Sequence, residues 1–424
     1  MKKIYFKGLD VSCYKEVLDN GLEVFLIPFT NKKNYFMAYA TRFGSEITNF
    51  IPAGEDKEIK VPDGIAHFLE HKMFEQEDGI DPFTYFSKSG TGANAFTSFD
   101  RTQYICYGTK NFNDNLAFLL SFVDSPYYTD ENVEKEKGII AEELNMYADM
   151  PDWQIETKLR EAIYVNHPRR IDIGGTVSEI NKITKEDLYT CYNNFYSPNN
   201  MFLLLVGNFN IDEARDIINE EMKSRKNMGK PVVTEVLEEK KVNVHEETFY
   251  TNVKVPKVAI GLKVPTDDLS SYDDLTLDLY LQMFTTLAFG SSSLFRERVR
   301  NKKLLNSFSA DWESIPGFKN YLVIVSTDNP DEFIDEFKNE INNISISEEA
   351  FNRMKKVWIS SEVKLFDYVD SVASNVSDDL IRYGDVIPDK IERFRKLNIE
   401  EMNDIISKID FDNISYIKCL DKEE

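Results

Sequence analysis

From position 62 the chain runs Pro62-Asp63-Gly64-Ile65-Ala66-His67-Phe68-Leu69-Glu70-His71-Lys72-Met73-Phe74-Glu75. Pro-Asp-Gly is a turn signal, and the apolar spacing after it predicts a helix with Asp63 as its N-cap. Histidine is scarce, with four in 424 residues, yet His67 and His71 stand at i and i+4. On a helix those positions share a face, so both imidazoles can reach one metal ion. Glu70, three residues after His67, points to the same side. A carboxylate placed there can take a proton from a metal-bound water. Phe68 and Leu69 turn toward a core and anchor the helix.

A hydrolytic zinc site takes three protein ligands and keeps one open position. The third ligand is expected on a second helix, predicted over residues 131–147, whose acidic first turn suits the helix dipole. Glu136 and Glu143 lie seven apart there, on one stripe, with Ile140 between them. The apolar Ile140 marks that stripe as buried, and a buried carboxylate needs a partner. Glu142 is rotated by about 100° and is expected to face solvent. Periodicity leaves open which of Glu136 and Glu143 ligates. His167, in an Asn-His-Pro turn, and His245, in a charged stretch, read as surface histidines. Other chemistries find no support. Ser291–Ser293 lacks the G-x-S-x-G elbow, Gly174-Gly175-Thr176 lacks the phosphate-loop lysine, and no cysteine has a nearby histidine.

Strands are predicted at residues 22–28, 35–43, 92–99, 103–107 and 201–206, and a helix at 113–123. Residues 222–247 are charged and punctuated, and read as a connection between two domains, 1–228 and 229–424. The second half repeats the first. Phe112-Asn113-Asp114 matches Asn329-Pro330-Asp331, and Thr184–Leu188 matches Asn398–Met402, at nearly the same offset. A long-period duplication follows.

Composition narrows the function further. The hydrophobic share of 42% supports sizeable cores, which excludes wholesale disorder. With 73 Asp+Glu against 50 Lys+Arg the net charge is −23, which argues against a nucleic-acid binder and leaves room for basic peptides. Four scattered cysteines form no CxxC pair, and no apolar run reaches membrane-spanning length. With no secretory leader read at the N-terminus, a soluble cytoplasmic protein is expected.

The H-x-x-E-H spacing resembles the inverted zinc motif of the insulinase/pitrilysin metallopeptidases. The likeness extends to residues 93–104 (ANAFTSFDRTQY), 134–144 (EKEKGIIAEEL) and 174–188 (GGTVSEINKITKEDL). It is strong over the first half and weak over the second, and the length fits the short branch that includes mitochondrial processing peptidase. The resemblance implies an α+β fold of two similar halves, each a mostly antiparallel sheet covered by helices. It implies one Zn2+ per chain, held by His67, His71 and Glu143, and a peptidase with Glu70 as general base. Glu136 matches an additional acidic residue that orients the site. Asn94, Ala95 and Phe96 fall on the strand that holds peptide substrate. The second half has no metal motif, since its matching helix reads LTLDLYLQMF (275–284). Active members also carry an Arg and a Tyr seven apart. Here Arg300 fits, but Ser307 stands at the Tyr position with Phe308 beside it. Completion by a homodimeric or heterodimeric partner carrying that pair is therefore expected. The competing expectation is a non-catalytic assembly subunit.

Overall fold

The structure is a computed structural model that describes residues 1–422. The chain forms two compact units. The first comprises Met1–Leu144, Asp172–Glu235 and Glu362–Lys390, and the second Asn145–Ile171, Val236–Ser361 and the residues from Ile391 on.

The strands of the first unit are β1 (Lys2–Tyr5), β2 (Ser12–Val17), β3 (Glu23–Pro28), β4 (Tyr35–Thr41), β5 (Asn49–Ile51), β6 (Ile59–Lys60), β7 (Gly92–Thr97), β8 (Thr102–Gly108), β9 (Met201–Gly207) and β10 (Val232–Val233). Seven of them form one sheet in the order β1-β2-β3-β9-β4-β8-β7, and the three short ones form a second, β10-β5-β6. In the large sheet only β3 and β9 run parallel. β9 (MFLLLVG) is buried along its whole length, as a central strand covered on both faces must be. β7 is an edge strand.

The unit's first helices are α1 (Ile65–Met73), α2 (Pro82–Lys88), α3 (Phe112–Val123) and α4 (Asp130–Ala148). Phe68 and Leu69 of α1 are fully buried among Tyr39, Phe43, Tyr104 and Leu120, as the spacing required. The opposite face of the sheet is covered by the helix Val369–Arg382. Val369, Val372, Ala373, Val376 and Leu380 pack there on Phe25, Ile27, Ala38, Ala40, Phe202 and Leu204. Each such buried Val or Leu contributes about 1.5–3 kcal/mol. Two polar ties fix this helix to the sheet: Arg101 to Asp378 at 2.6 Å, and Ser377 Oγ donating to Gln103 Oε1 at 2.6 Å.

The second unit has β11 (Glu246–Thr251), β12 (Lys257–Pro265), β13 (Ser307–Ile315), β14 (Phe318–Ser326) and β15 (Ile414–Asp421), ordered β11-β15-β12-β14-β13. Its parallel pair is β11 and β15. The first-unit strands β3-β9-β4-β8-β7 have the same pattern: first, last, second, fourth, third in chain order, with one parallel pair at the same place. The duplication expected from sequence is thus present in the topology. Helix α5 (Pro151–Ile163) covers this sheet through Ile155, Leu159, Ala162 and Ile163. Gly261 of β12 lies directly beneath it, where a Cβ would come within 2.2 Å of Ile163.

The units therefore differ from contiguous halves divided at residue 228. α5 comes from the first half of the chain and packs in the second unit, while Val369–Arg382 makes the reverse move. Among the described residues no helix is long and apolar enough to cross a membrane.

Candidate metal centre

α1 does not begin on an Asp63 side-chain cap. Gly64 occupies the N-cap with φ 86°, and no side chain caps the helix. The cause is a distant segment. Gly174 O sits where a Cβ on Gly64 would approach within 2.2 Å, and Gly175 is pressed against Asp63 O in the same way. The Gly174-Gly175 pair, not a phosphate loop, is thus the seat of the metal-motif helix. Only residues without a Cβ allow this approach.

From that seat α1 directs His67, Glu70 and His71 to one side. The two imidazole rings lie 4.6 Å apart between centroids. α4 brings both glutamates to His71. Glu136 Oε1 is 3.0 Å from His71 Nδ1, and Glu143 Oε2 is 3.5 Å from His71 Nε2. His67, His71 and Glu143 each offer a ligand atom, and these atoms lie within 4.8 Å of one another. Two ligands at zinc-bond distance from a tetrahedral ion are roughly 3.3 Å apart, close to the His71–Glu143 spacing. Ile140 is fully buried between the glutamates and Glu142 is exposed, as the stripe required.

The electrostatics suit a cation. Burial pushes the His67 imidazole down to about 4, with His71 adding to the effect, so it is held as the neutral base that binds metals. Its Nδ1 is a buried atom without a hydrogen-bond partner. Burial also opposes charge on His71. The Glu136 hydrogen bond and the charges of Glu136, Glu143 and Glu70 outweigh that and raise its pKa. Three carboxylates thus favour positive charge at this point. Two nitrogens and a carboxylate oxygen, with a fourth position open, fit zinc. Glu136, on the far nitrogen of His71, fixes the ring so that Nε2 faces the ligand cluster.

Glu70 is buried, which raises its pKa against the lowering effect of Thr97, whose Oγ1 donates to Oε2 at 2.6 Å. Sequence reading did not single out Thr97. Its position on β7, two residues after Ala95, was the available signal. Alternation puts Ala93, Ala95 and Thr97 on the α1 side of the sheet. The Ala95 N–H is turned to the free edge, where Asn94 Oδ1 accepts it at 3.0 Å. Phe96 points to the opposite face, beneath the Arg101 guanidinium.

Two histidines lie outside the cluster. His245 is exposed and its Nδ1 is 3.0 Å from Ile414 O. His167 is not the surface residue expected. It is 7% exposed, packed by Tyr164, and burial lowers it to about 4. In the second unit Arg300 is exposed near the end of the helix Leu294–Asn301. Ser307 opens β13, its Oγ donating to Ser326 Oγ at 2.9 Å.

Comparison with known proteins bears on this centre. Residues 40–177 match the family model described as insulinase (peptidase family M16), and residues 182–357 match the peptidase M16 inactive domain. The uncharacterized zinc protease YmfH of Bacillus subtilis is 34% identical over the full length of both chains. The crystal structure of an M16-like peptidase from Alicyclobacillus acidocaldarius is 31% identical, with a TM-score of 0.91, covering 98% of this chain and all of that one. A protease from Helicobacter pylori shares the fold at 20% identity, with a TM-score of 0.82, over 96% of this chain and 99% of its own. With full-length likeness to a named zinc protease and both halves matched, the chain belongs to the insulinase family of M16 peptidases.

Proposed function

We propose that this protein is a zinc endopeptidase whose site is built on α1, α4 and the free edge of β7. The observation that carries the reading is the convergence of His67, His71 and Glu143 with Glu70 alongside. The two histidines and Glu143 would hold one zinc ion, which when bound supplies Lewis acidity toward water and a scissile carbonyl. The rest falls to the chain's own side chains. Glu70 takes the proton of the attacking water at a carboxylate oxygen and passes it to the leaving amine. Burial supports that role, because a raised pKa lets one carboxyl both accept and donate near neutrality. Thr97 holds one Glu70 oxygen and so leaves the other for the water. Glu136 keeps the His71 ring oriented.

A peptide would add as a strand along β7, replacing Asn94 Oδ1 as the acceptor for the Ala95 N–H. Main-chain pairing of this kind tolerates many sequences. The net charge of −23 supports basic peptides as the preferred class. The four cysteines are free and buried, which supports a reducing, cytoplasmic setting. Because Ser307 cannot supply the Tyr hydroxyl, a related subunit bringing an Arg/Tyr pair completes the site.

Ser307 also favours a second reading, an assembly subunit with a metal but no turnover. The test is cleavage of a mixed basic-peptide pool by the zinc-loaded chain, with Glu70→Gln as control. Cleavage that vanishes in the variant supports the peptidase. Bound zinc without cleavage, alone or with a related subunit added, supports the second reading.

A further inference from the structure

α1 carries one more polar side chain, Lys72, which the proposed chemistry does not use. It follows His71 directly and has no solvent exposure. A buried ammonium is costly unless its hydrogens are taken up, and an apolar side chain of the same length would fill the space without that cost.

The Lys72 Nζ spans two elements. It pairs with Glu75, beyond the end of α1, and donates to the backbone carbonyl of Asn132 at 3.3 Å. Asn132 lies in the first turn of α4, and its own side chain builds that turn. Its Oδ1 accepts from the Thr129 N–H at 2.9 Å, and its Nδ2 donates to Tyr127 O at 3.1 Å. In an α-helix the carbonyl of Asn132 also serves the amide of Glu136. Lys72 therefore grips α4 at the turn that sets the height of Glu136 and, seven residues on, of Glu143. The far side of the same α1 turn presents His71 to those two carboxylates.

We infer that Lys72 is a positioning residue for the metal centre, a buried tie that fixes the register of α1 against α4. It acts through His71, Glu136 and Glu143 and touches neither metal nor substrate. The inference rests on the zinc reading above.

The test uses the full chain with zinc alone as probe. Zinc affinity is measured by competition with a chromophoric chelator, and the melting temperature is measured on the metal-free protein. Lys72→Met keeps the length of the side chain and removes the tie, and zinc affinity is expected to fall about 10-fold or more, the usual cost of losing a group that supports metal ligands. A lower melting temperature with unchanged zinc affinity would mean that Lys72 merely stabilises the fold, and would overturn the inference. Should Lys72→Met fail to fold, Lys72→Gln carries the test, since it keeps a polar group there but shortens the reach toward Asn132 O. Weakened zinc binding in that variant supports the tie, and unchanged affinity overturns it. If the wild-type chain itself binds no zinc, the zinc reading fails and this inference with it. Wild-type binding matched by Lys72→Met overturns this inference alone.

Discussion

The helix following the β4 strand in the first unit and the helix following β12 in the second fill the same place in a repeated topology. They do different things there. α1 has nine residues and spends three of its positions on His67, Glu70 and His71. Asp274–Phe289 has sixteen, and its buried face is leucine, phenylalanine, methionine and tyrosine. Its one deeply buried acid, Asp278, is paired with Lys319 at 2.8 Å, a protein partner rather than a place for a metal. One copy of the fold keeps imidazole nitrogens available and the other has filled the space. Duplication of a scaffold does not copy its chemistry, because the sheet dictates where a helix lies and not which side chains it carries.

The largest expected effect breaks the first copy alone. Glu143→Ala removes a proposed ligand and should take zinc content, measured by elemental analysis of the purified protein, from one per chain to near zero. Asp278→Asn should leave zinc content intact while costing about 1.5–3 kcal/mol of stability, because it takes the nearer of two carboxylates from the buried Lys319 and leaves it Asp274 at 3.4 Å. Equal zinc loss in both would abolish the contrast. Next, Glu70→Gln should lower peptide cleavage by about 10²- to 10⁴-fold with zinc retained. A fall in zinc content with it would mean that Glu70 ligates rather than acts as base.

Two smaller effects sharpen the exchange of helices between the units. Leu380→Ala should destabilise the first unit by about 2–5 kcal/mol, seen as a lower melting temperature of the metal-free chain. Ile163→Ala should act likewise on the other unit. If amide exchange shows either change felt in the half of the chain from which the helix comes, rather than in the unit where it packs, the interleaving is wrong.

The smallest effect concerns pH. Burial would raise the Glu313 carboxyl, but Arg160, Arg169 and the Tyr164 hydroxyl outweigh it and hold it at about 2. A carboxylate lowered on folding adds stability that is complete above its ordinary pKa of 4.5 and is lost as pH falls through about 2. Urea melts between pH 5 and 2 should therefore steepen in their loss of stability relative to Glu313→Gln, at roughly 2–4 °C per kcal/mol in the matching thermal melts. Arg160, Arg169 and Glu313 all lie in the second unit, so the share of acid sensitivity that Glu313→Gln removes should appear there.

The metal helix was legible because its period and its chemistry coincide in five residues. Periodicity could not separate Glu136 from Glu143, since both lie on one stripe. Only the two nitrogens of His71 tell them apart, one facing each glutamate. The Asp63 cap failed for a different reason: Gly174 and Gly175 approach from more than a hundred residues away and dictate the turn. The exchanged helices have plain signals in the chain, Pro151 at a helix start and Val369, Val372, Val376 and Leu380 at helical spacing. An amphipathic face says that something will cover it, and not which sheet. For that reason the repeat was readable and the unit boundaries were not.

The exchange sets a timetable for synthesis. The clustered His67, His71 and Glu143 leave the ribosome early, but the sheet beneath them keeps one apolar face bare until residues 369–382 have also emerged. The first unit reaches its full cover only after most of the companion unit has been made. A nascent chain thus carries the His-His-Glu cluster long before the unit around it is rigid, and a fragment released early would expose Phe25, Phe202 and Leu204 to the quality-control machinery.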